Sequence, residues 1–362
     1  MIGYENSTPE GGLLMKSVGM DLDKRKAEIL IAVVKHYIKT AEPVSSQTIV
    51  AEYGFNLCSA TVRHGLAALE SMGYLTHPHT SAGRVPTDKG YRFFVNSIKE
   101  LGSSMMNRVN HLRTLYQRRD VEIEKLLKDT ADLLASVTRH VALIMAPSIQ
   151  TSTFKHLELL PIGEKLAMMV LITDTGRILK KVFQYPSAFN SLDLQWVAGL
   201  FNARFSGIDM EKIEGADIAL SSSDLLLRPL VNQVKGILAQ ETTGFEEERV
   251  FLSGTSFMLQ QPEFYDVGEV QSILGILERE YFLLNLLQDK LSENKIVVKI
   301  GAEIERDELR HCSFVLTNYK FRGRRSGTVG VIGPTRMDYP RVISTIHFFE
   351  KSLTEYLESF QV

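Results

Sequence analysis

The first hundred residues carry an apolar pattern typical of short amphipathic helices. Apolar residues recur at four-residue spacing over 29–38, which predicts one helix with a wide apolar stripe. Pro43 ends this helix because its ring excludes a continuing helical turn. Serines stand before the next two apolar segments, so we expect Ser45 or Ser46 to cap a second helix and Ser59 to cap a third.

Two short apolar runs after the third helix have the composition of strands. Residues 74–77 and 84–86 flank a loop rich in turn-forming residues, 78–83, and Thr87 can cap a further helix over 88–99. The predicted order is helix, helix, helix, strand, loop, strand, helix. That order is typical of a winged helix-turn-helix domain.

The rest of the chain mixes charged helical segments with alternating strands. A leucine-bearing charged segment, 103–139, predicts a helical connection into the body. The predicted strands of the body are 140–146, 154–162, 165–173, 177–185, 250–252, 296–300, 313–319 and 328–332. The predicted helices of the body are 192–206, 223–240, 267–290 and 342–357. We therefore expect an antiparallel α+β body interrupted by helices.

The charge is unevenly divided along the chain. The formal net charge of the 362 residues is only -2, which by itself would not suggest a nucleic-acid partner. Residues 21–119, however, hold 14 basic against 8 acidic side chains, while residues 120–362 hold 26 against 33. A basic front segment joined to an acidic body favours a nucleic-acid-binding module at the front.

Several other classes of protein are disfavoured by the composition. The two cysteines, Cys58 and Cys312, have no disulfide or metal-site spacing, so we expect reduced thiols in a cytoplasmic protein with no metal and no cofactor. No signal peptide and no membrane-length apolar run is visible, so no membrane partner is expected. The sequence has no phosphate-binding loop, zinc-protease motif or serine-hydrolase motif, and we expect no enzyme activity.

The third helix has one face suited to the DNA major groove. On a helical wheel Val62, Leu66 and Leu69 face the core, and the opposite side is small, polar and lightly basic. Such a face can approach base edges closely, and hydroxyls at the helix start suit phosphates. The candidate DNA-reading residues are Ser59, Thr61, Arg63 and His64. An ordinary surface helix, rich in alanine for its helix propensity, explains the same wheel equally well.

The loop between the two predicted strands extends this candidate surface. It is built of small residues and ends at an arginine, which suits contact with a phosphate strand or a minor groove. The candidate contact residues of the loop and the following helix are Thr80, Ser81, Arg84, Lys89 and Arg92.

Three runs of the sequence carry a family resemblance. The segments YIKTAEPVSSQTI, SATVRHGLAALESMGYLTHPHTSAGRVPTDKGYRFFV and, far downstream, VGVIGPTRMDYPRVI resemble the heat-inducible transcription repressor HrcA family. The resemblance covers residues 21–100 tightly and the rest by a looser order of elements. The family commonly has Arg-Asn and an acidic residue where this chain has Arg63-His64-Gly65.

The resemblance implies a multidomain α+β protein. Its parts would be a winged helix-turn-helix domain, a GAF-like domain, and a dimerising domain inserted into the GAF-like one. The predicted boundaries are 1–20 for a flexible leader, 21–100 for the winged helix-turn-helix, 101–139 for a helical linker, 140–186 and 263–362 for the GAF-like domain, and 187–262 for the inserted dimerisation domain.

The resemblance also implies a function and partners. Such a protein would bind, as a homodimer, an inverted-repeat operator in double-stranded DNA and repress heat-shock chaperone operons. A GroEL-type chaperonin would keep it active. Three alternatives stay open on the sequence: a GAF-type regulator that senses a small ligand, an enzyme tethered by the basic module, and a chaperonin-dependent interaction protein without a regulatory DNA site.

Overall fold

The chain folds into two compact units that divide between Gly90 and Tyr91. The computed structural model describes residues 22–54, 58–79, 82–98, 123–147, 152–222, 224–243, 250–264, 266–277, 296–321 and 324–359. The predicted leader, 1–20, and the first part of the predicted linker, 101–122, lie outside the described residues. Helices and antiparallel strands are mixed, which confirms the predicted α+β class.

The first unit holds three helices followed by a two-stranded sheet. Its elements in chain order are α1 (Lys24–Thr40), α2 (Ser46–Tyr53), α3 (Ser59–Ser71), β1 (Leu75–Thr76), β2 (Val85–Pro86) and α4 (Asp88–Ser97), whose last seven residues belong to the second unit. The strands β1 and β2 pair antiparallel. This order of elements is the one that the hydrophobic pattern predicts.

Local side chains set the ends of these helices. The Ser45 hydroxyl accepts the Thr48 N–H at 3.1 Å and caps α2, and Gly54 ends that helix with a φ of 61°. The expectation that Ser59 caps α3 is wrong. Ser59 is the first helical residue, and the capping position is held by Cys58, whose side chain makes no cap hydrogen bond.

The core of the first unit lies between α1 and α3. The predicted inward residues of α3, Val62, Leu66 and Leu69, are all buried. A Cβ atom on Gly65 would lie 2.7 Å from the Cδ1 atom of Ile29 on α1. The glycine in the middle of α3 therefore lets the two helices approach closely, which outweighs its poor helix propensity.

The second unit contains the remaining helices and two separate sheets. Its elements in chain order are α5 (Ile123–Thr138), β3 (Val141–Met145), β4 (Phe154–Gly163), β5 (Leu166–Thr173), β6 (Ile178–Gln184), α6 (Ser191–Phe205), α7 (Met210–Gly215), α8 (Arg228–Thr243), β7 (Val250–Ser253), α9 (Thr255–Met258), α10 (Val267–Leu277), β8 (Val297–Ile300), β9 (Cys312–Phe321), β10 (Arg324–Pro334) and α11 (Tyr339–Glu358). Short 3-10 helices lie at Leu225–Leu227, Pro262–Phe264, Gly301–Ile304 and Asp307–Leu309. The predicted helix 267–290 is confirmed as far as Leu277, and the remainder lies outside the described residues.

The larger sheet has five antiparallel strands in the order β7-β3-β10-β9-β8. Residues from β3, β9, α9 and α10 form one buried cluster on this sheet, and it includes the thiol of Cys312. The helices α5 and α11 also pack on strands of the sheet. These helices bury their apolar faces on the strands, as an α+β layer arrangement requires.

The smaller sheet has three antiparallel strands, β4-β5-β6, and a core of its own. One face of the sheet packs against α6, α7 and α8, so that residues 152–243 form a subdomain between β3 and β7. The predicted insertion, 187–262, divides these elements differently from the sheets. The strands β4 to β6 belong with the inserted helices, and β7, placed in the insertion by the sequence, pairs with β3.

Candidate nucleic-acid interface

The helix α3 presents the small, polar face that the sequence predicts. Its exposed residues are Ala60, Arg63, His64, Ala67 and Ser71. Among the described residues, neither the side chain of Arg63 nor that of His64 has a hydrogen-bond or ion-pair partner. Two adjacent donors are thus displayed between short side chains, where they can reach groups that another molecule presents.

Hydroxyl groups surround the first turn of α3. The Ser59 Oγ lies 3.1 Å from the Oγ of Ser46, so the first residues of α2 and α3 are joined. The Thr61 Oγ1 lies 3.2 Å from the Sγ of Cys58. This hydrogen bond lowers the pKa of the exposed Cys58 thiol. The helix start therefore offers hydroxyl groups and backbone N–H groups of the kind that bind phosphates.

The loop between β1 and β2 is anchored to the segment before α2. Val44 and Arg84 exchange two backbone hydrogen bonds, of 2.9 and 2.8 Å. A Cβ atom on Gly83 would lie 2.6 Å from the backbone carbon of Pro43, so only glycine fits at this crossing. The exit of the loop is therefore held in place by the backbone.

Glu70, near the end of α3, binds the side chains at both ends of the same loop. Its Oε1 atom contacts Nδ1 of His77, and its Oε2 atom accepts from Nε of Arg84 at 3.0 Å. Glu70 is not among the DNA-contact residues predicted from the sequence. The available signal was that Glu70 is the sole acidic residue between Ser59 and Ser71.

The ionised form of Glu70 is favoured in this setting. Burial alone would raise the pKa of Glu70, but the hydrogen bonds from His77 and Arg84, with the charge of Arg84, bring it below the ordinary value. The predicted contact residue Arg84 is therefore already paired with a carboxylate through part of its guanidinium group.

The other predicted basic residues also have partners in the protein. The Lys89 Nζ donates to the Met72 carbonyl at 2.9 Å and lies 4.2 Å from the centre of the Tyr74 ring. Arg92 is engaged within the second unit by Glu303 and by the Val298 carbonyl. The two predicted loop residues Thr80 and Ser81 lie outside the described residues.

The downstream run at 333–339 has a structural role. Arg336 pairs with Glu263 through Nε and Oε1 at 2.5 Å, and Asp338 caps α11 by accepting the Arg341 N–H. The Tyr339 hydroxyl donates to the Thr335 carbonyl at 2.7 Å, so this run closes the turn between β10 and α11.

No sign of a metal centre or a membrane span appears where the structure can be described. Within the described ranges, no three His, Cys, Asp or Glu side chains converge as metal ligands. No helix in the same ranges is both long and apolar enough to cross a bilayer.

Comparison with known proteins identifies the family. The family model described as the HrcA protein C terminal domain matches residues 124–343. The heat-inducible transcription repressor HrcA of Pelotomaculum thermopropionicum is 35% identical over 340 residues, which cover 94% of this chain and 98% of the relative. The HrcA of Natranaerobius thermophilus is 38% identical over 344 residues, which cover 95% and 99%.

The chain belongs to the HrcA family. The resemblance drawn from the sequence motifs is thereby confirmed. A crystal structure of a hypothetical protein has a TM-score of 0.64 at 24% identity, covering 94% of this chain and 100% of its own, and it supports the overall fold. HrcA relatives are named as transcription repressors, so a regulator is favoured over an enzyme.

Proposed function

We propose that this HrcA-family chain is a cytoplasmic repressor that binds an inverted-repeat operator in double-stranded DNA and controls heat-shock chaperone operons. The observation that carries the proposal is the exposed face of α3, where Arg63 and His64 have no partner within the described part of the chain. An arginine without a partner among small residues can reach a guanine edge in the major groove.

The first unit would act as a winged helix-turn-helix domain. The helix α3 would enter the major groove, with Ser59 and Thr61 near its first turn positioned for phosphates. The loop between β1 and β2 would be the wing, to which Thr80, Ser81 and Arg84 belong. Lys89 and Arg92 already bind other groups of the protein, so the proposed DNA surface depends chiefly on Arg63, His64 and Arg84.

A homodimer is needed for an inverted repeat, because two-fold DNA symmetry calls for two-fold protein symmetry. We place the dimer contact on the outer face of the smaller sheet. Leu160 pairs with Met168, which pairs with Val182, so these three apolar side chains share one face. Leu160 is 42% exposed and Val182 is 53% exposed. An apolar sheet face of this kind is typical of a protein-protein contact.

The family resemblance supports two further parts of the proposal. The second unit would contain the GAF-like domain, built on the five-stranded sheet, and a GroEL-type chaperonin would keep the repressor active. A ligand-sensing GAF-type regulator is not favoured, since the HrcA relatives are named for heat induction.

Binding to a chaperone-promoter fragment tests the proposal. The full chain is titrated, at one fixed salt concentration, against a fragment with the inverted repeat and against a fragment in which the repeat is scrambled. We expect at least a thousandfold tighter binding to the intact repeat than to the scrambled one, about the lower end for specific regulators. With chaperonin present, we expect a larger fraction of the protein to bind the intact repeat. Equal binding to both fragments contradicts the proposal.

A further inference from the structure

Glu70 connects the candidate reading helix to both ends of the wing loop. His77 follows β1 and Arg84 precedes β2, and both side chains bind the same carboxylate at the end of α3. A single side chain thus joins His77 and Arg84, at the two ends of the loop, to α3. The inference drawn from this arrangement rests on the proposed function, because it concerns how the same surface binds DNA.

The contact uses only part of the Arg84 guanidinium. Nε and Nη2 of Arg84 lie 3.0 and 2.9 Å from the same oxygen of Glu70, Oε2. A guanidinium group has five N–H donors in a fixed planar fork. The Nη1 group is therefore turned away from Glu70 by the geometry of the fork, and the arginine side chain keeps 30% of its surface exposed.

The negative charge of a carboxylate on a DNA-binding helix must be compensated by nearby positive groups. An unpaired acidic residue near phosphates would weaken binding by charge repulsion. Glu70 is instead flanked by an arginine and a histidine, and its own side chain is only 24% exposed. The carboxylate of Glu70 is thus partly shielded from solvent, and its negative charge is balanced by His77 and Arg84, which it orients.

We propose that Glu70 is a positioning residue for operator binding, which holds Arg84 so that the Nη1 edge meets a backbone phosphate beside the groove entered by α3. Glu70 itself does not contact the DNA. Its contribution passes through Arg84, and so it vanishes when Arg84 is removed. This relation distinguishes positioning from a general contribution to folding.

A double-mutant cycle on operator affinity tests the inference. The full chain and the variants Glu70→Gln, Arg84→Ala and Glu70→Gln/Arg84→Ala are titrated against the intact repeat at several salt concentrations. Thermal unfolding of each variant checks that the first unit is folded. The isosteric glutamine keeps the shape of the side chain and removes its charge.

The expected results differ between the variants. Arg84→Ala should weaken binding about tenfold and reduce the slope of log affinity against log salt by about 1.8, as the loss of one phosphate contact in each subunit of the dimer requires. Glu70→Gln should weaken binding several-fold, and the double variant should bind like Arg84→Ala alone. His77→Ala should leave the effect of Arg84→Ala unchanged.

Two outcomes overturn the inference. In the first, Glu70→Gln binds as tightly as the wild type; in the second, Glu70→Gln causes the same loss of operator affinity in the Arg84→Ala background as in the wild type. Either result assigns Glu70 no role in positioning Arg84. Failure of the proposed function looks different, because the wild-type chain itself would then not distinguish the intact repeat from the scrambled one.

Discussion

Nε of Arg92 lies 2.7 Å from Oε1 of Glu303, and its Nη2 donates to the Val298 carbonyl at 2.6 Å. The Oε2 atom of Glu303 also accepts the N–H of Ile300 at 3.0 Å. Arg92, which the sequence assigns to DNA phosphates, is thus part of a bonded group that joins α4 to the start of a 3-10 helix in the second unit.

We expect Arg92→Ala to lower the free energy of unfolding by about 1–2 kcal/mol, because it removes a charge-assisted pair and leaves a carbonyl without its donor. The slope of operator affinity against salt should not change. Denaturant unfolding and salt-dependent titration measure the two effects, with Glu303→Ala as the matched variant. A reduced slope with unchanged stability would restore Arg92 as a phosphate contact.

A second prediction concerns the close approach of α4 to β1. A Cβ atom on Gly90 would lie 2.3 Å from the backbone carbonyl oxygen of Tyr74, which cannot move aside easily. We expect Gly90→Ala to lower the free energy of unfolding by about 1–3 kcal/mol. Gly199→Ala, at an exposed helical glycine with nothing within 4 Å, is the control and should stabilise by up to about 1 kcal/mol. Equal changes in the free energy of unfolding for Gly90→Ala and Gly199→Ala would contradict the close contact between Gly90 and the Tyr74 carbonyl.

A third prediction concerns acid stability. Burial, followed by the charges of Arg336 and Arg341, lowers the pKa of His140 to about 4 from its ordinary 6.5. The folded chain therefore disfavours the protonated ring. Between about pH 6.5 and pH 4, the ring takes up a proton in the unfolded chain but not in the folded one. The free energy of unfolding is therefore unaffected by His140 above about pH 6.5 and falls by about 3 kcal/mol as the pH is lowered towards 4.

Denaturant unfolding across this pH range measures the effect of His140. The variant His140→Gln cannot take up the proton, so its free energy of unfolding should fall less between pH 6.5 and 4. Parallel pH profiles for the wild type and the variant would show that His140 does not carry the dependence.

A fourth prediction concerns the apolar face of the smaller sheet. A charge at Val182 should disrupt a dimer formed through this face, so Val182→Glu is expected to shift the chain towards monomer and to weaken binding to the inverted repeat. Sedimentation velocity measures the shift. Leu226→Glu, at a leucine that is 84% exposed and belongs to none of the three strands, is the matched control and should leave the dimer intact. A dimer that survives Val182→Glu removes this face from the interface.

The order of elements could be predicted because it depends on local alternation. Along Leu166–Thr173 every second residue is buried, and this period of two is visible in the sequence. The partner of a strand is not encoded in that period. The strands β3 and β4 follow each other in the chain but lie in different sheets, which no alternation along the sequence could show.

In the candidate site, too, local features could be predicted from the sequence and long-range contacts could not. The buried and exposed sides of α3 follow from helical geometry and were predicted correctly. The partners of the basic residues were not, because Arg84 meets a carboxylate 14 positions away and Arg92 one that is 211 positions away. Such pairs depend on how helices and strands pack, and no spacing along the sequence reveals them.

Operator binding by Arg63→Ala measures whether α3 reads the operator. Affinities of the full-length wild type and variant are measured for the intact and the scrambled repeat at one salt concentration, with Arg228→Ala as an exposed arginine control outside the first unit. We predict that Arg63→Ala loses about 1–3 kcal/mol of binding free energy, roughly 5- to 150-fold, for each half-site of the intact repeat, and little for the scrambled one. Wild-type affinity of Arg63→Ala for the intact repeat would contradict the account.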